Sequence, residues 1–388
     1  MISFKKIIRF FRGPDEFERA FEKEYPGNFY QRLYSLITSC SFYYLDDTDA
    51  HYRPDDAPSF ALERSHAKRL RRREAIWRDL DAAFGLKNLE ASYELFDDDR
   101  SRHLFLLRIL NNVYDTHLVR LPIFYSKQYH DLDKIAELSD PSEVVSLWPG
   151  LLRFTKFSLQ KLGIDLTLWG GVDGIFIEFI LDQYRYKNIV AIEDCDNVID
   201  GGACYGDTAL HFATKTSGKV YSFEFMPENI DLFNNNMSLN PKYKNRVTLV
   251  QRPLGSKSNQ KMYAVFNGPG TSISDKPKNG AVELTSITID DFVKENDIQK
   301  IDFIKLDIEG SEEAALKGAA ETIKKFRPKL AICGYHKKDD LVVLPKLIKE
   351  LLPDYCLYLD HYTINNTETV IYAAAKKKVQ TNRNRFYV

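Results

Sequence analysis

The strongest chemical signal in the sequence is a glycine-rich segment, Val-Ile-Asp-Gly-Gly-Ala-Cys-Tyr-Gly-Asp, over residues 198–207. An apolar run ends in Asp200, and small residues then lead to Gly206, where a helical pattern begins. Such a turn lets a ligand come close to the backbone and points the free N–H groups of a helix at it. The segment therefore predicts a ligand site between a strand and a helix.

The next predicted strand ends in a second acid, Glu224, which follows Asp200 by 24 residues. An acid in this position can accept hydrogen bonds from the ribose hydroxyls of a nucleoside. A dinucleotide fingerprint would need glycine where Ala203 stands, and Asp200 is a poor neighbour for phosphates. S-adenosyl-L-methionine, which carries an ammonium and a sulfonium, suits the acid better. A nicotinamide-dependent oxidoreductase and a cofactor-binding domain without catalysis are the two alternatives.

The elements that would position these residues follow a regular alternation. From residue 195 onward, short β-rich runs alternate with helical patterns, which predicts a parallel sheet with helices on both faces. The closing runs 355–362 and 368–375 are joined by a turn without a helix, so they should pair antiparallel. We predict a doubly wound α/β sheet of seven strands with an antiparallel last strand, and an inserted hairpin over 260–290.

The first part of the chain has apolar residues at helical spacing. We predict a mostly helical N-terminal domain over 1–150 and a second domain over 151–388, with its core at about 195–375. The basic run at 68–73 is expected to be a solvated helix face, and a clamp for a phosphate-bearing acceptor is the alternative. The amphipathic start over 4–12 is expected to pack on its own domain rather than on a membrane surface.

The composition and net charge exclude several classes of protein. The 388 residues include 54 Lys+Arg against 55 Asp+Glu, a formal charge of −1, which argues against nucleic acid as the main partner. The five cysteines form no CxxC pair, which indicates reduced thiols rather than a zinc site or a disulfide framework. No apolar stretch approaches the roughly 20 residues of a membrane span, and the start is not a secretory signal. We expect a cytoplasmic protein without stable membrane insertion.

Four segments resemble, in this order, the FkbM family of S-adenosylmethionine-dependent O-methyltransferases: VIDGGACYGDTALHFA, KVYSFEFMPEN, LTSITIDDF and IDFIKLDIEGSEEAALKGAAETI. The resemblance covers about residues 195–375, and the Asp-Ile-Glu-Gly-Ser-Glu segment is its most specific part. It implies the Rossmann-like fold of class I methyltransferases. It also implies transfer of a methyl group from S-adenosyl-L-methionine to a hydroxyl of a sugar, a glycan or a natural-product intermediate.

The resemblance further implies roles for individual residues. The glycine turn would line the methionine and sugar parts of the cofactor, and Glu224 would hold the ribose hydroxyls. Asp307 would face the methyl group and a small-molecule or glycan acceptor, and Glu309 and Gly310 would shape the turn beyond it. Helix capping is the alternative explanation for Asp307 and Glu309. The predicted cofactor-binding residues are Asp200, Gly201, Gly202, Ala203, Gly206, Asp207, Thr208, Glu224 and Asp307.

A hydroxyl acceptor must lose its proton, so a positioned base assists the transfer. His336 follows the fifth strand of the sheet at the same edge as Asp307, and we predict these two as the catalytic residues, with His336 as the base. A loop histidine that caps a helix is the alternative, and His361 is a second candidate base. Lys305 lies on the same strand face as Asp307 and is a candidate for pairing with an acid.

A metal-dependent methyltransferase would place several carboxylates or amides around Asp307 to hold a divalent ion. The sequence does not indicate such a set of carboxylates or amides around Asp307. Asp290 and Asp291 have an ordinary explanation as N-caps of a short helix. We therefore predict no metal ion, and a metal-dependent methyltransferase is the alternative.

Overall fold

The structure is a computed structural model. It describes residues 28–39, 73–114, 121, 135–147, 152–265, 271, 273–274, 276–277, 280–363 and 365–376. The predictions for the amphipathic start over 4–12 and for the basic side chains of 68–73 lie outside the described residues.

The described chain begins with helices, as the apolar spacing predicts. They are α1 (Phe29–Ser39), α2 (Arg73–Phe84), α3 (Leu86–Tyr93) and α4 (Asp99–Tyr114). Residues three and four apart, such as Leu33 with Leu36 and Ile37, are buried together. Asp98 accepts a hydrogen bond from the Ser101 N–H at 2.8 Å, which satisfies a free donor in the first turn of α4. The helical character of the N-terminal region is confirmed.

A small antiparallel sheet follows the helices. Its strands lie in the order β1 (Ser139–Leu147), β2 (Leu152–Ser158) and β3 (Thr167–Gly170). Strands β1 and β2 lie on either side of residue 150, where the sequence analysis puts the domain boundary, so helical character ends before that point. The division into domains stays a prediction. After β3, the short helix α5 (Val172–Ile175) continues directly into a π-helical turn (Phe176–Ile180).

The rest of the described chain contains ten strands. They are β4 (Val198–Gly201), β5 (Val220–Phe223), β6 (Val247–Val250), β7 (Lys261–Ala264), β8 (Ile273–Ser274), β9 (Val282–Thr285), β10 (Phe303–Leu306), β11 (Lys329–Cys333), β12 (Tyr355–His361) and β13 (Thr369–Ala375). Seven of these form one sheet in the order β12-β13-β11-β10-β4-β5-β6. The pairs along β11-β10-β4-β5-β6 are parallel, and β13 is antiparallel to both its neighbours. The predicted doubly wound sheet with an antiparallel last strand is confirmed.

The prediction of an inserted hairpin over 260–290 is incomplete. The segment forms a separate antiparallel sheet in the order β8-β7-β9, so β7 has a partner on each side. A bridge between Leu254 and Ile287 connects the base of this insertion to the chain beyond β6. Turn residues and short runs indicate a hairpin but do not reveal the third strand, because β8 is only two residues long.

Helices cover both faces of the main sheet. They are α6 (Asp207–Lys215), α7 (Pro227–Leu239), α8 (Ile289–Glu295), α9 (Glu312–Lys317), α10 (Ala320–Phe326) and α11 (Asp340–Leu351). Alternate strand residues join opposite cores: Ile304 packs in the core that includes the N-terminal helices, and Phe303 packs in the core that includes the π-helical turn. None of the helices in the described ranges is long and apolar enough to cross a membrane.

The prediction that Asp290 and Asp291 are N-caps is wrong. Thr288 is the N-cap of α8, and its hydroxyl accepts a hydrogen bond from the Asp291 N–H at 3.0 Å. The Asp290 carboxylate instead accepts the N–H groups of Glu321 and Thr322 at 3.0 and 2.7 Å, in the first turn of α10. A threonine and two acids in succession all suit a helix start, so only the fold decides between them.

Two asparagines at the end of α7 bind the edge of β3. The side-chain amide of Asn236 exchanges hydrogen bonds with the Trp169 N–H and carbonyl at 2.7 and 3.0 Å. Asn240, the residue after the helix, does the same with Thr167, at 3.1 and 2.6 Å. Residues two apart on a strand face the same way, which makes this ladder possible. The ladder fixes the small sheet against the main domain.

The N-terminal helices are anchored on β12, an edge strand of the main sheet. Arg100 of α4 donates to both carboxylate oxygens of Asp360 at 2.7 and 2.8 Å, and both side chains are only 2% exposed. The Asp97 carboxylate and the Ser101 hydroxyl accept the backbone N–H groups of Leu357 and Leu359 at 2.8 and 2.9 Å. The start of α4 thus satisfies donors that the edge strand would otherwise expose.

We expect Arg100→Met to lower the free energy of unfolding by about 3–5 kcal/mol, because it leaves the Asp360 carboxylate buried without its ionic partner. Urea unfolding followed by circular dichroism measures this change. The double variant Arg100→Met/Asp360→Leu should recover most of the loss, and Arg102→Met, on the exposed side of α4, should cost about 0–1 kcal/mol. Equal destabilisation by the single and double variants would contradict the importance of the buried pair.

Candidate functional site

The site lies where the carboxyl ends of β4 and β10 meet. At this point the glycine turn after β4 touches the segment after β10 so closely that a Cβ on Gly202 would lie 1.8 Å from the Asp307 carbonyl oxygen. Gly202 has a φ of +79° and Gly206, which precedes α6, has a φ of +83°. Both backbone conformations favour glycine, and the contact at Gly202 leaves no room for any side chain.

Lys305, in β10, connects the two strand ends. Its ammonium donates to the Gly202 carbonyl at 2.7 Å and lies 3.2 Å from Asp200 Oδ1, with the side chain 1% exposed. Burial opposes the charge, but the carboxylates of Asp200, Asp307 and Glu178 raise the pKa of Lys305 above its usual range. Lys305 is therefore charged, and the expectation that it pairs with an acid is met.

The carboxylate of Asp200 is fully buried and has several partners from the protein itself. Besides Lys305, it accepts hydrogen bonds from the hydroxyls of Thr208 at 3.1 Å and Ser222 at 3.0 Å. Ala203, the other small residue of the turn, is buried against Ala209 and Phe233. The glycine turn is thus supported on its buried side by Asp200, Thr208 and Ala203. Their direct contact with a cofactor stays a prediction.

Two buried acids lie beside the turn, and the charge of Lys305 offsets their burial only in part. Burial raises the pKa of Asp207, the first residue of α6, to about 6. Burial and the charge of Asp207 raise the pKa of Glu178 well above its usual range. Among the described residues, Glu178 Oε2 has no hydrogen-bond partner although it is buried. A positively charged ligand group would stabilise both carboxylates in their ionised form.

At the end of β5, Glu224 is held in a fixed orientation. Its Oε1 accepts the N–H groups of Phe225 and Met226 at 2.7 and 2.8 Å, and its Oε2 accepts from Asn229 Nδ2 at 3.2 Å. Asn229 Oδ1 is buried, and no hydrogen-bond partner for it is found in the described part of the chain. Two neighbouring acceptors of this kind suit a pair of sugar hydroxyls.

Asp307 lies at the centre of the acidic corner beyond β10. Tyr184 donates to its Oδ2 and Tyr335 to its Oδ1, both at 2.9 Å, and His336 Nε2 lies 3.4 Å from Oδ1. Burial by itself would raise the pKa of this carboxyl, but Lys305, His336 and the two tyrosines lower it below the usual range. The structure therefore brings His336 and Asp307 together, as predicted, with Asp307 ionised.

His336 is surrounded by carboxylates. Its Nδ1 lies 2.9 Å from Glu312 Oε1, and its Nε2 lies 3.7 Å from Glu309 Oε2. Burial opposes its charge, but Glu312 and Asp307 raise its pKa to about 9. A histidine that is protonated at neutral pH must release that proton before it can act as a base, so the base role of His336 stays a prediction. Glu309 and Gly310 both have positive φ and shape the turn, as expected.

Several residues of this corner are absent from the sequence-based prediction. Tyr335 immediately precedes His336, and its place at the sheet edge is a signal that could have identified it. Glu178 and Tyr184 come from the segment around the π-helical turn, which has no strong sequence pattern, although such turns are frequent at functional sites. His361, the second candidate base, is buried in the β12–β13 pair with Nδ1 2.8 Å from Thr369 Oγ1, and burial lowers its pKa well below the usual value.

The residues around the site match a known family of domains. The family model described as "Methyltransferase FkbM domain" matches residues 200–360, which contain the glycine turn, Glu224, Asp307 and His336. Residues 200–360 form an FkbM methyltransferase domain. The main sheet, which continues beyond this domain to β13, has the strand order and the antiparallel last strand of the class I methyltransferase fold that the resemblance implies.

Among solved structures, the chain is similar to the FkbM methyltransferase of Methylobacillus flagellatus KT, with 22% identity and a TM-score of 0.48. That match covers 76% of this chain but only 60% of the other. Aeropyrum pernix fibrillarin, with natively bound S-adenosyl-L-methionine, shares 12% identity over 60% of this chain and 93% of its own, with a TM-score of 0.34. The Bacillus cereus O-methyltransferase in complex with SAH shares 13% over 53% and 82%, with a TM-score of 0.32. A search of curated protein sequences finds no match.

We expect Gly202→Ala to destabilise the FkbM domain, because the added methyl group would displace the Asp307 carbonyl and separate β4 from β10. The free energy of unfolding, measured by chemical denaturation, should fall by more than about 3 kcal/mol. A loss of this size exceeds the cost of a positive φ alone and therefore indicates the clash with the backbone. Gly163→Ala is the matched control, since Gly163 has a φ of +77° but no atom within 4 Å of the added Cβ. Similar losses at both glycines would contradict the close contact.

Proposed function

We propose that this chain transfers a methyl group from S-adenosyl-L-methionine to a hydroxyl group of its acceptor. The observation that carries the proposal is the pair of buried, unpartnered acceptor atoms on either side of the glycine turn: among the described residues, Glu178 Oε2 and Asn229 Oδ1 lack a hydrogen-bond partner. Glu178 Oε2 lies among acids whose charge Lys305 offsets only in part, so it suits a cation. Asn229 Oδ1 lies beside Glu224 and suits sugar hydroxyls. A nucleoside that carries positive charge meets both requirements.

The residues around the glycine turn would contact different parts of this cofactor. Glu224 and Asn229 would hold the ribose hydroxyls, and Asp207 and Glu178 would face the cationic end. When bound, S-adenosyl-L-methionine supplies a methyl group on a positively charged sulfur, and the overall reaction releases S-adenosylhomocysteine and one proton. Gly202 would keep the turn close to the strand end, since no side chain fits there.

On the acceptor side, the chain contributes orientation and charge. Tyr184 and Tyr335 fix the Asp307 carboxylate through hydrogen bonds of 2.9 Å, so an acceptor hydroxyl that reaches this corner meets an oriented anion. Alignment of reacting groups is the main contribution an enzyme makes to a displacement of this kind. His336, beside Asp307, would take the hydroxyl proton once it has itself been deprotonated.

The turn is poorly suited to a nicotinamide dinucleotide. The N–H groups of Gly202 and Ala203, which would face a pyrophosphate, both donate to the Phe223 carbonyl at 3.0 Å. Donors that are already used inside the protein cannot hold phosphate oxygens. This observation supports the S-adenosyl cofactor over the oxidoreductase alternative.

The class of acceptor and the setting are part of the same proposal. We propose a hydroxyl on a sugar, a glycan or a natural-product intermediate, as the resemblance implies, and no role for nucleic acid or stable membrane insertion. A formal charge of −1 supports a partner other than nucleic acid. The described cysteines, Cys195, Cys204, Cys333 and Cys356, form no disulfide with one another, which supports a cytoplasmic setting.

We expect Glu224→Ala to weaken S-adenosyl-L-methionine binding by at least about tenfold, because charge-assisted hydrogen bonds to the ribose are lost. Asp307→Asn should keep binding within about threefold but lower turnover by at least about a hundredfold. Calorimetry measures the first, and release of S-adenosylhomocysteine with a panel of hydroxylated acceptors measures the second.

Asp354→Asn is the control for both variants, because Asp354 lies on the surface and pairs with Arg327. Tight binding of NAD by the unmodified protein, with no response to S-adenosyl-L-methionine, would overturn the proposed function. Full turnover in Asp307→Asn would remove Asp307 from the acceptor site.

Cofactor binding should weaken as the pH falls through 6. Asp207 has a pKa of about 6, raised by burial, and a bound cation favours its ionised form. Below this pKa, binding must therefore expel a proton, and the affinity should drop by up to about tenfold per pH unit. Calorimetry between pH 5 and 7 checks this dependence. Asp207→Asn should flatten it, and an unchanged slope in that variant would contradict the role of Asp207.

A further inference from the structure

The acidic corner beyond β10 contains a set of metal-ligating groups. Asp307, Glu312 and His336 each offer one ligand atom, and these atoms lie within 4.8 Å of one another. Glu309 adds a further carboxylate oxygen, 3.7 Å from His336 Nε2. The groups come from the turn after β10, the first turn of α9 and the loop after β11, so only the fold brings them together.

The hydrogen bonding of this corner is incomplete. The side chain of His336 is 93% buried, and its Nε2 makes no hydrogen bond with the described residues. Glu312 Oε2 is also buried and has no hydrogen-bond partner among the described residues, and Glu312 is only 1% exposed. Buried polar atoms without partners indicate that a group which normally fills the space is missing. Imidazole and carboxylate donors around one space suit a divalent cation.

The distances on the Nε2 side of His336 suit such an ion. Nε2 lies 3.4 Å from Asp307 Oδ1 and 3.7 Å from Glu309 Oε2. In an octahedral site with bonds of about 2.1 Å, neighbouring ligand atoms are roughly 3 Å apart. A small inward movement of each carboxylate would therefore bring it to the spacing of a ligand next to Nε2.

The Nδ1 side of the ring has the partner that metal-bound histidines usually have. Glu312 Oε1 lies 2.9 Å from Nδ1 and is itself held by the Ile308 N–H at 2.8 Å. A carboxylate behind the imidazole fixes the ring and directs the other nitrogen at the metal. Tyr335 supports Asp307 in the same way, through its hydroxyl at 2.9 Å.

We propose that Asp307, Glu309 and His336 bind a divalent cation of the Mg²⁺ or Mn²⁺ class, with Glu312 as the residue that orients His336. This differs from the prediction of no metal that the sequence pattern supports. Binding of the cation stands on the geometry alone, whereas its role rests on the proposed function. An acceptor hydroxyl on the cation would lose its proton to solvent water, and the oxygen would stay on the metal as an alkoxide. His336 would then act as a ligand and not as the base.

The test uses the full chain, stripped with a chelator and titrated with Mn²⁺ alone. Electron paramagnetic resonance should show one bound Mn²⁺ per chain. Glu309→Gln and His336→Gln should each weaken binding by at least about tenfold, and Glu312→Gln by about 10–100-fold. Glu313→Gln is the matched control, since Glu313 lies on the same helix but pairs with Lys317. Glu309→Gln keeps the test valid if the buried variants fail to fold, because the Glu309 side chain is one-third exposed.

The outcomes separate the two proposals. Stoichiometric Mn²⁺ binding that the ligand variants weaken, with S-adenosyl-L-methionine binding unchanged, would support the cation site. No Mn²⁺ binding by a protein that still binds S-adenosyl-L-methionine would overturn the cation site and leave the proposed function intact. Mn²⁺ binding without any binding of S-adenosyl-L-methionine would support the site and overturn the proposed function. Turnover that survives chelation unchanged would overturn the role of the cation in the reaction.

Discussion

The site at the carboxyl ends of β4 and β10 depends on the ionic and hydrogen-bond contacts of the Lys305 ammonium. Buried carboxylates repel one another and are poorly solvated, so they need a compensating charge at short range. Lys305 supplies that charge to Asp200 and Asp307 and also bonds the carbonyl of Gly202. One side chain therefore holds the glycine turn in place and keeps Asp307 ionised. The positions of Asp200, Gly202 and Asp307 depend on this connection between β4 and β10.

The site is larger than the FkbM domain that contains its centre. Residues 200–360 include Asp307 and His336, but Glu178 and Tyr184 precede this range and Glu368 follows it. Tyr184 binds Asp307 directly, and Glu368 accepts a hydrogen bond from Gln183 at 2.5 Å. The segment before the domain thus contributes groups to the site.

Local patterns explain which parts of this structure could be predicted. Strand and helix alternation, the acid at the end of β5 and the glycine turn are encoded in short stretches, and all were placed correctly. Glu178 was missed because a π-helical turn depends on packing rather than on a periodic pattern. The metal-ligating arrangement of the acidic corner could not be predicted for a different reason. His336 and Asp307 can be assigned to one sheet edge from the sequence, but their distances to Glu309 and Glu312 arise only when α9 and the loop after β11 come together.

The asparagine ladder between α7 and β3 has a consequence for how this protein behaves at high concentration. An edge strand normally offers its N–H and carbonyl groups to any passing polypeptide in extended form. At Thr167 and Trp169, both groups are already bound by Asn240 and Asn236. A neighbouring molecule therefore finds no open backbone at these positions to extend the sheet, and this rim of the small sheet is protected from intermolecular aggregation.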